Sequence, residues 1–179
     1  YQQMWTIISG TNRKGSNTLK VAQTYHQLAV ELNVDTRLIS LEDLPNDFIN
    51  VEMYQKRSPH LEQFAEENLY PASKFTFITP EYNGTFPGIF KLMMDAVDVD
   101  RAFKHKHVCL VGTSTGRAGN LRGMDDLTNA CMYLKMHVFH QRIPISSVRE
   151  LIDEHGQIKD SYTRKIMQEQ IALFNALMS

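Results

Sequence analysis

Apolar residues fall along the chain in two rhythms, short unbroken runs and stripes at steps of three and four, and these rhythms alternate. Residues 5–8 suit a buried strand. Leu19, Ala22, Tyr25, Ala29 and Leu32, with Val21 and Leu28 alongside, make the wide apolar stripe of an amphipathic helix that Asn33 closes. Residues 34–39 alternate as a second strand would. Residues 41–59, with Pro45, Asn46 and Asp47, carry no regular pattern and read as a surface loop before a short helix marked by Leu61, Phe64, Ala65 and Leu69. Aromatic and β-branched residues 75–79 predict a third strand, and Ile89, Phe90, Leu92, Met93, Ala96 and Val97 predict the helix after it. Residues 108–111 do not alternate, so this fourth strand is expected to be buried on both faces. A helix carrying Leu121, Met124, Leu127, Ala130, Cys131 and Leu134 follows, then a fifth strand at 137–139 that can run on to 145. Asp160 or Ser161 caps a last helix with Ile166, Met167, Ile171, Phe174, Leu177 and Met178 on one side. Strand and helix repeated five times predict a parallel sheet between two helix layers, joined by right-handed crossovers. A length of 179 residues suits one domain, 1–179.

Three strand-to-helix junctions break the apolar pattern in the same way. After the first strand come Gly10, Thr11, Asn12, Arg13, Lys14, Gly15, Ser16, Asn17 and Thr18. Gly10 and Gly15 allow positive φ, and Ser16, Asn17 and Thr18 are good helix N-caps. A helix N-terminus offers unpaired NH groups and the positive end of its dipole, so with Arg13 the stretch can cradle a phosphate. It is equally compatible with an ordinary solvated βα loop. After the third strand come Pro80, Glu81, Tyr82, Asn83, Gly84, Thr85, Phe86, Pro87 and Gly88. Asn-Gly alone signals a hairpin, but a helical pattern follows, so this is again a strand-to-helix loop, suited to presenting rigid NH and CO groups to a planar ligand. The third, after strand four, is Gly112, Thr113, Ser114, Thr115, Gly116, Arg117, Ala118, Gly119 and Asn120. Ligands of such sheets lie at the carboxyl ends of the strands, and all three loops stand there.

Composition narrows the partner. With a net charge of −1 the chain lacks the electrostatic case for nucleic acid or an anionic membrane, which favours a small-molecule ligand. No apolar stretch approaches a bilayer span, the start lacks a signal-peptide pattern, and Cys109 and Cys131 read as buried free thiols, so a cytoplasmic location is expected. Tyr1 to Gln3 read as a trimmed or foreign start. His105, His107, His137 and His140 read as solvated or capping residues, because no cysteine or carboxylate cluster completes a metal site beside them.

The loops discriminate between phosphate chemistries. Gly10 and Gly15 have the spacing of a triphosphate loop, but Ser16-Asn17 stands where Lys-Ser/Thr is needed. No glycine loop has the GxGxxG pattern of a dinucleotide fold. The remaining doubly wound option holds a flavin mononucleotide, with its phosphate in the first loop and its ring between the later two. The sequence resembles the NADPH-dependent FMN reductase family of flavodoxin-like proteins at two motifs. Gly-Ser-x-Arg-x-x-Ser appears as Gly10-Thr11-Asn12-Arg13-Lys14-Gly15-Ser16, with threonine keeping the hydroxyl. Pro-Glu-Tyr-Asn-Gly appears unchanged at residues 80–84, followed by a helix whose Leu-Lys-x-x-x-Asp core is Phe90-Lys91-Leu92-Met93-Met94-Asp95.

The resemblance implies a five-stranded α/β sheet in the order 2-1-3-4-5 with helices on both faces. It further implies that Thr11, Arg13, Ser16, Asn17 and Thr18, on the loop opened by Gly10, bind FMN phosphate, and that Pro80, Glu81, Tyr82 and Asn83 line the ring. Ser114, Thr115, Gly116 and Arg117, on a third loop that departs from the family's glycine run, are expected to contact the cofactor too. The implied activity passes hydride from NADPH or NADH to flavin N5 and on to a flavin, quinone or similar small acceptor, with no side-chain catalyst, Glu81 serving to structure its loop or a subunit contact. A homodimer or homotetramer is implied as well. The alternative is an FMN-binding electron carrier or redox-sensing module without nicotinamide turnover.

Overall fold

The computed structural model describes residues 4–177; Tyr1 to Gln3, read above as a trimmed or foreign start, and Met178, read as part of the last helical stripe, lie outside the described residues. Strands β1 (Met4–Ser9), β2 (Arg37–Ser40), β3 (Ala72–Pro80), β4 (His107–Thr113) and β5 (His137–Val138) form a parallel sheet in the order β2-β1-β3-β4-β5. A sixth strand, β6 (Ile143–Ile145), also pairs parallel with β4. The fifth sheet position is therefore filled twice, by β5 at one end of β4 and β6 at the other. Between them the backbone leaves the ladder, and the Gln141 carbonyl accepts from Gln170 Nε2 at 2.7 Å.

Alternate strand residues feed two cores. On one face Ile8, Phe75, Phe77, Val108 and Leu110 pack against α2 (Pro59–Asn68), α3 (Gly88–Ala96) and α5 (Leu121–Tyr133). On the other, Trp5, Ile7, Ile78, Cys109 and Val111 pack against α1 (Asn17–Glu31) and α7 (Ser161–Ala176). The central strands are thus buried on both faces, which is why their sequence lacks hydrophobic–polar alternation. Burial pushes both thiols up to about 12, which removes Cys109 and Cys131 from nucleophilic chemistry.

Local chemistry sets the element ends. Asn33 has φ 58°, and the amides of Asn33 and Val34 bond back to Val30 and Ala29, a Schellman closure. Val34 is consumed in that closure, so β2 starts later than the alternation predicts. Ser58 Oγ accepts from Leu61 N ahead of α2, and Asp160, rather than Ser161, caps α7 by accepting from Thr163 N at 2.8 Å. Lys91 and Asp95 make an i,i+4 pair at 2.6 Å on α3, and Asp98 caps the short α4 (Val99–Ala102). Leu121, Leu32 and Leu177 are exposed, each at the end of its stripe. Residues 41–59 are not merely surface, because Leu41, Phe48 and Met53 anchor this segment in the first core.

The ends of β3, β4 and β6 lie level, and β1, which carries the first loop, ends two residues short of them. Ser9 pairs with Ile78, Pro80 with Thr113, and Thr113 with Ile145. Glycines allow the loops to close on one another. Gly10 is not at positive φ, contrary to its sequence reading; a Cβ there would lie 2.7 Å from Thr79 Cγ2 and 2.9 Å from the Ile78 carbonyl oxygen. A Cβ on Gly112 would lie 2.3 Å from the carbonyl oxygen of Gly119. Since that obstacle is backbone, Gly112→Ala is expected to destabilise by about 1–3 kcal/mol. Thermal unfolding should register this as a fall of about 2–4 °C per kcal/mol; an unchanged Tm would contradict the packing.

Candidate active site

The first loop delivers a helix N-terminus to the sheet edge. Ser16 Oγ caps α1 by accepting from Leu19 N at 3.1 Å, leaving the amides of Asn17 and Thr18 without intrahelical partners. The first turn of α1 carries no acidic residue, so its dipole is not neutralised from within the helix. Gly15 holds φ +64° with open space around it, turning the chain into the helix.

The second loop is locked from below and from within. Thr11 is fully buried; its Oγ1 accepts from Arg13 N at 3.3 Å and lies 2.9 Å from Tyr82 Oη. Thr11 thus ties the first loop to the second instead of facing the cleft. Asn83 and Gly84 both have positive φ, and Tyr82 and Thr85 exchange two backbone hydrogen bonds, so the Asn-Gly pair does build a tight hairpin turn. The turn never extends into strands, because Pro87 and α3 follow at once. Gly84 is demanded by its φ of +83° and not by crowding, since a Cβ there would meet nothing within 4 Å. The Glu81 amide donates to Thr113 O at 2.9 Å and the Tyr82 amide to Thr85 O at 2.8 Å, so these two are occupied, and the Asn83 and Thr115 amides take up no partner among the described residues.

The third loop is pinned to the chain after β6. Ser114 N donates to Ile145 O at 3.0 Å, Ser147 N to Gly116 O at 2.9 Å and Val148 N to Ser114 O at 3.0 Å. Asn120, buried at the start of α5, donates from Nδ2 to Thr79 O at 3.0 Å, joining the third loop to the end of β3. Thr113 Oγ1 lies 3.2 Å from Thr18 Oγ1, joining it to the first turn of α1.

These loops enclose a cleft of about 360 Å³. Of the sequence-predicted residues, Arg13, Ser16, Asn17, Thr18, Pro80, Glu81, Tyr82, Ser114 and Thr115 line it. Asn83, Gly116 and Arg117 line an adjoining groove of about 320 Å³ that shares Glu81, Ser114 and Thr115 with the cleft. Gly10 and Thr11 lie beneath the walls. Sequence reasoning missed Thr113, Val148 and Arg149, which also line the cleft. The available signal was positional, since residues 146–149 follow the fifth strand and its carboxyl end faces the same edge. Asn120 was passed over too, as part of a loop and not as its brace.

The donor set fits a phosphorylated, ring-bearing cofactor. The cleft lining includes the first turn of α1, hydroxyl side chains and two guanidinium groups, a complement for a phosphate dianion. Glu81, on the second loop, is the only carboxylate lining the cleft among the described residues. The Pro80–Tyr82 and Ser114–Thr115 walls would receive the ring.

Known proteins share this geometry's sequence and fold. A sequence model described as NADPH-dependent FMN reductase matches residues 4–149. An NAD(P)H-dependent FMN reductase from Pseudomonas aeruginosa is 27% identical over 167 residues, 92% of this chain and 89% of that protein. A 2-hydroxy-1,4-benzoquinone reductase from a Burkholderia species is 26% identical, with 90% and 88% of the two chains covered. Among solved structures, the fold is similar to the FerB flavoenzyme NAD(P)H:(acceptor) oxidoreductase from Paracoccus denitrificans, with a TM-score of 0.77, 22% identity and 96% and 94% of the two chains covered. The match to the family spans most of the chain and takes in all three loops and the cleft residues through Arg149; the chain belongs to the NADPH-dependent FMN reductase family.

Proposed function

We propose that the described chain works as one FMN-binding unit, with FMN phosphate seated on the first turn of α1 beside Arg13 and the flavin ring received between the Pro80–Tyr82 and Ser114–Thr115 walls. NAD(P)H is the reductant, and a quinone, a free flavin or a similar small oxidised molecule is the acceptor. The observation that carries this reading is the meeting, in one cleft, of an acid-free helix N-terminus with two braced strand-end loops. When bound, FMN supplies two-electron hydride chemistry at its ring N5.

The chain's own residues bind and orient. The amides of Asn17 and Thr18 donate to the phosphate and Arg13 offsets its charge, while the Thr18 hydroxyl, 3.2 Å from Thr113 Oγ1, ties this seat to the third loop. Ser16 contributes mainly by ordering α1, since its hydroxyl is engaged in the cap. Tyr82, held at 2.9 Å by Thr11, keeps the second loop at a fixed height above the first. With the Glu81 and Tyr82 amides occupied, polar atoms of a ring would be met by the amides of Asn83 and Thr115. No residue of the cleft is required to give or take a proton at the reacting ring. The acceptor class is supported by the quinone reductases among the relatives. An NAD(P)H-fed reductase is expected in the cytoplasm, and the exposed Ile49, Val51 and Tyr54 offer an apolar surface for a homodimer or homotetramer.

Three outcomes are expected. Under anaerobic stopped-flow, NADPH or NADH bleaches the flavin absorbance and a quinone, flavin, azo dye or chromate restores it; negligible reduction would instead identify an electron carrier. Arg13→Ala raises the FMN Kd about tenfold with Tm unchanged, whereas Ser16→Ala also lowers stability by about 1 kcal/mol through the lost cap. Unchanged FMN affinity in Arg13→Ala would remove the phosphate from α1. Thr11→Val and Tyr82→Phe, combined in a double-mutant cycle of unfolding free energies, couple by about 0.5–1.5 kcal/mol; strict additivity would mean that the bond contributes nothing.

A further inference from the structure

Arg13 is not the only guanidinium that lines the cleft. Arg149 stands in the short helix α6 (Val148–Leu151) and lines the same cavity as Ser16, Asn17 and Thr18. Among the described residues it forms no ion pair and its side chain makes no hydrogen bond, although Glu150 is its neighbour in sequence and Glu81 shares the cavity. A free guanidinium in one cavity with an acid-free helix N-terminus and a second arginine leaves the seat with more positive charge than the chain itself neutralises.

The backbone beneath Arg149 is held in place. Val148 is 2% exposed, and its amide donates to Ser114 O at 3.0 Å. Ser147, at φ 47°, donates to Gly116 O at 2.9 Å, and Ser146 Oγ donates to Arg117 O at 2.7 Å. Arg149 therefore travels with the third loop, so the loop that would hold the ring also carries a cation to the cleft.

We infer that Arg149 is a specificity-determining residue that reads the ligand's phosphate monoester together with Arg13 and so selects FMN over unphosphorylated flavin; this rests on the FMN reading given above. A planar fork of donors suits a phosphate, and a lysine in its place keeps only a point charge.

The test is equilibrium binding of FMN and of riboflavin, followed by flavin fluorescence, to the wild-type chain, Arg149→Gln, Arg149→Lys and Arg13→Ala, at low and high KCl. Arg149→Gln should raise the FMN Kd about tenfold, leave riboflavin and Tm unchanged, and differ less from wild type as salt screens the charge. Arg149→Lys should fall between the two. If Arg149→Gln binds FMN like wild type while Arg13→Ala is weakened, the inference fails and the FMN reading stands. Equal weakening of both flavins by Arg149→Gln would also overturn it, since the residue would then act on the ring or the fold. If the wild-type chain binds FMN no better than riboflavin and no variant changes either, both the inference and the phosphate seat fall.

Discussion

The architecture of this chain depends on backbones approaching more closely than a side chain allows at the carboxyl edge of the sheet. Pro80, Thr113 and Ile145 end their strands level and Ser9 ends two residues short of them, which brings four connections into a small space. They fit because Gly10 lies against Thr79 and the Ile78 carbonyl, Gly112 against the Gly119 carbonyl, and Gly123 against Asn120 and the Phe86 amide. A methyl group at any of these positions would meet backbone or buried side chain at 3.0 Å or less. Steric exclusion, more than attraction, sets the height of each cleft wall.

Hydrogen bonds then make the loops into one frame. Thr11 joins the first loop to Tyr82, Thr18 meets Thr113 across the cleft, and Asn120 reaches Thr79. The Ser114 and Gly116 carbonyls receive Val148 and Ser147. Because these braces are internal, several groups that a motif would assign to a ligand are already engaged. Thr11 Oγ1, Ser16 Oγ and the Glu81 and Tyr82 amides hold the frame, and the amides of Asn17, Thr18, Asn83 and Thr115 with Arg13 and Arg149 remain outward. Charge is divided in the same way, since Arg13 and Arg149 line the cleft beside the first turn of α1 and Glu81, the single lining carboxylate among the described residues, sits on the second loop.

The buried side of the sheet shows the same preference for internal pairing. Lys74, only 4% exposed, directs Nζ to the Phe174 and Asn175 carbonyls at the end of α7, where a cation meets the negative end of the helix dipole. Gln170 bonds Tyr25 Oη and the Leu110 and Gln141 carbonyls, so the break between β5 and β6 leaves the Gln141 carbonyl paired. These contacts hold α7 across the split strand and carry no chemistry of the cleft.

Much of this was legible in the sequence, for physical reasons. Strands buried on both faces must be continuously apolar, and helices packed on a sheet must carry a stripe, so residues 5–8, 75–79 and 108–111 and the stripes of α1, α3, α5 and α7 announce a parallel sheet between helices. The two motifs at residues 10–16 and 80–84 placed the cleft, because strand-end loops are where such sheets bind. Contacts between residues distant in the chain decided the rest. That Gly10 is required for space and not for φ, that Thr11 faces Tyr82 and not the cleft, that the fifth strand is split, and that Arg149 arrives in the same cleft as Arg13 all follow from the order in which strands lie side by side. Periodicity reports which face of an element is buried, but only the assembled sheet determines which residues from separate elements meet.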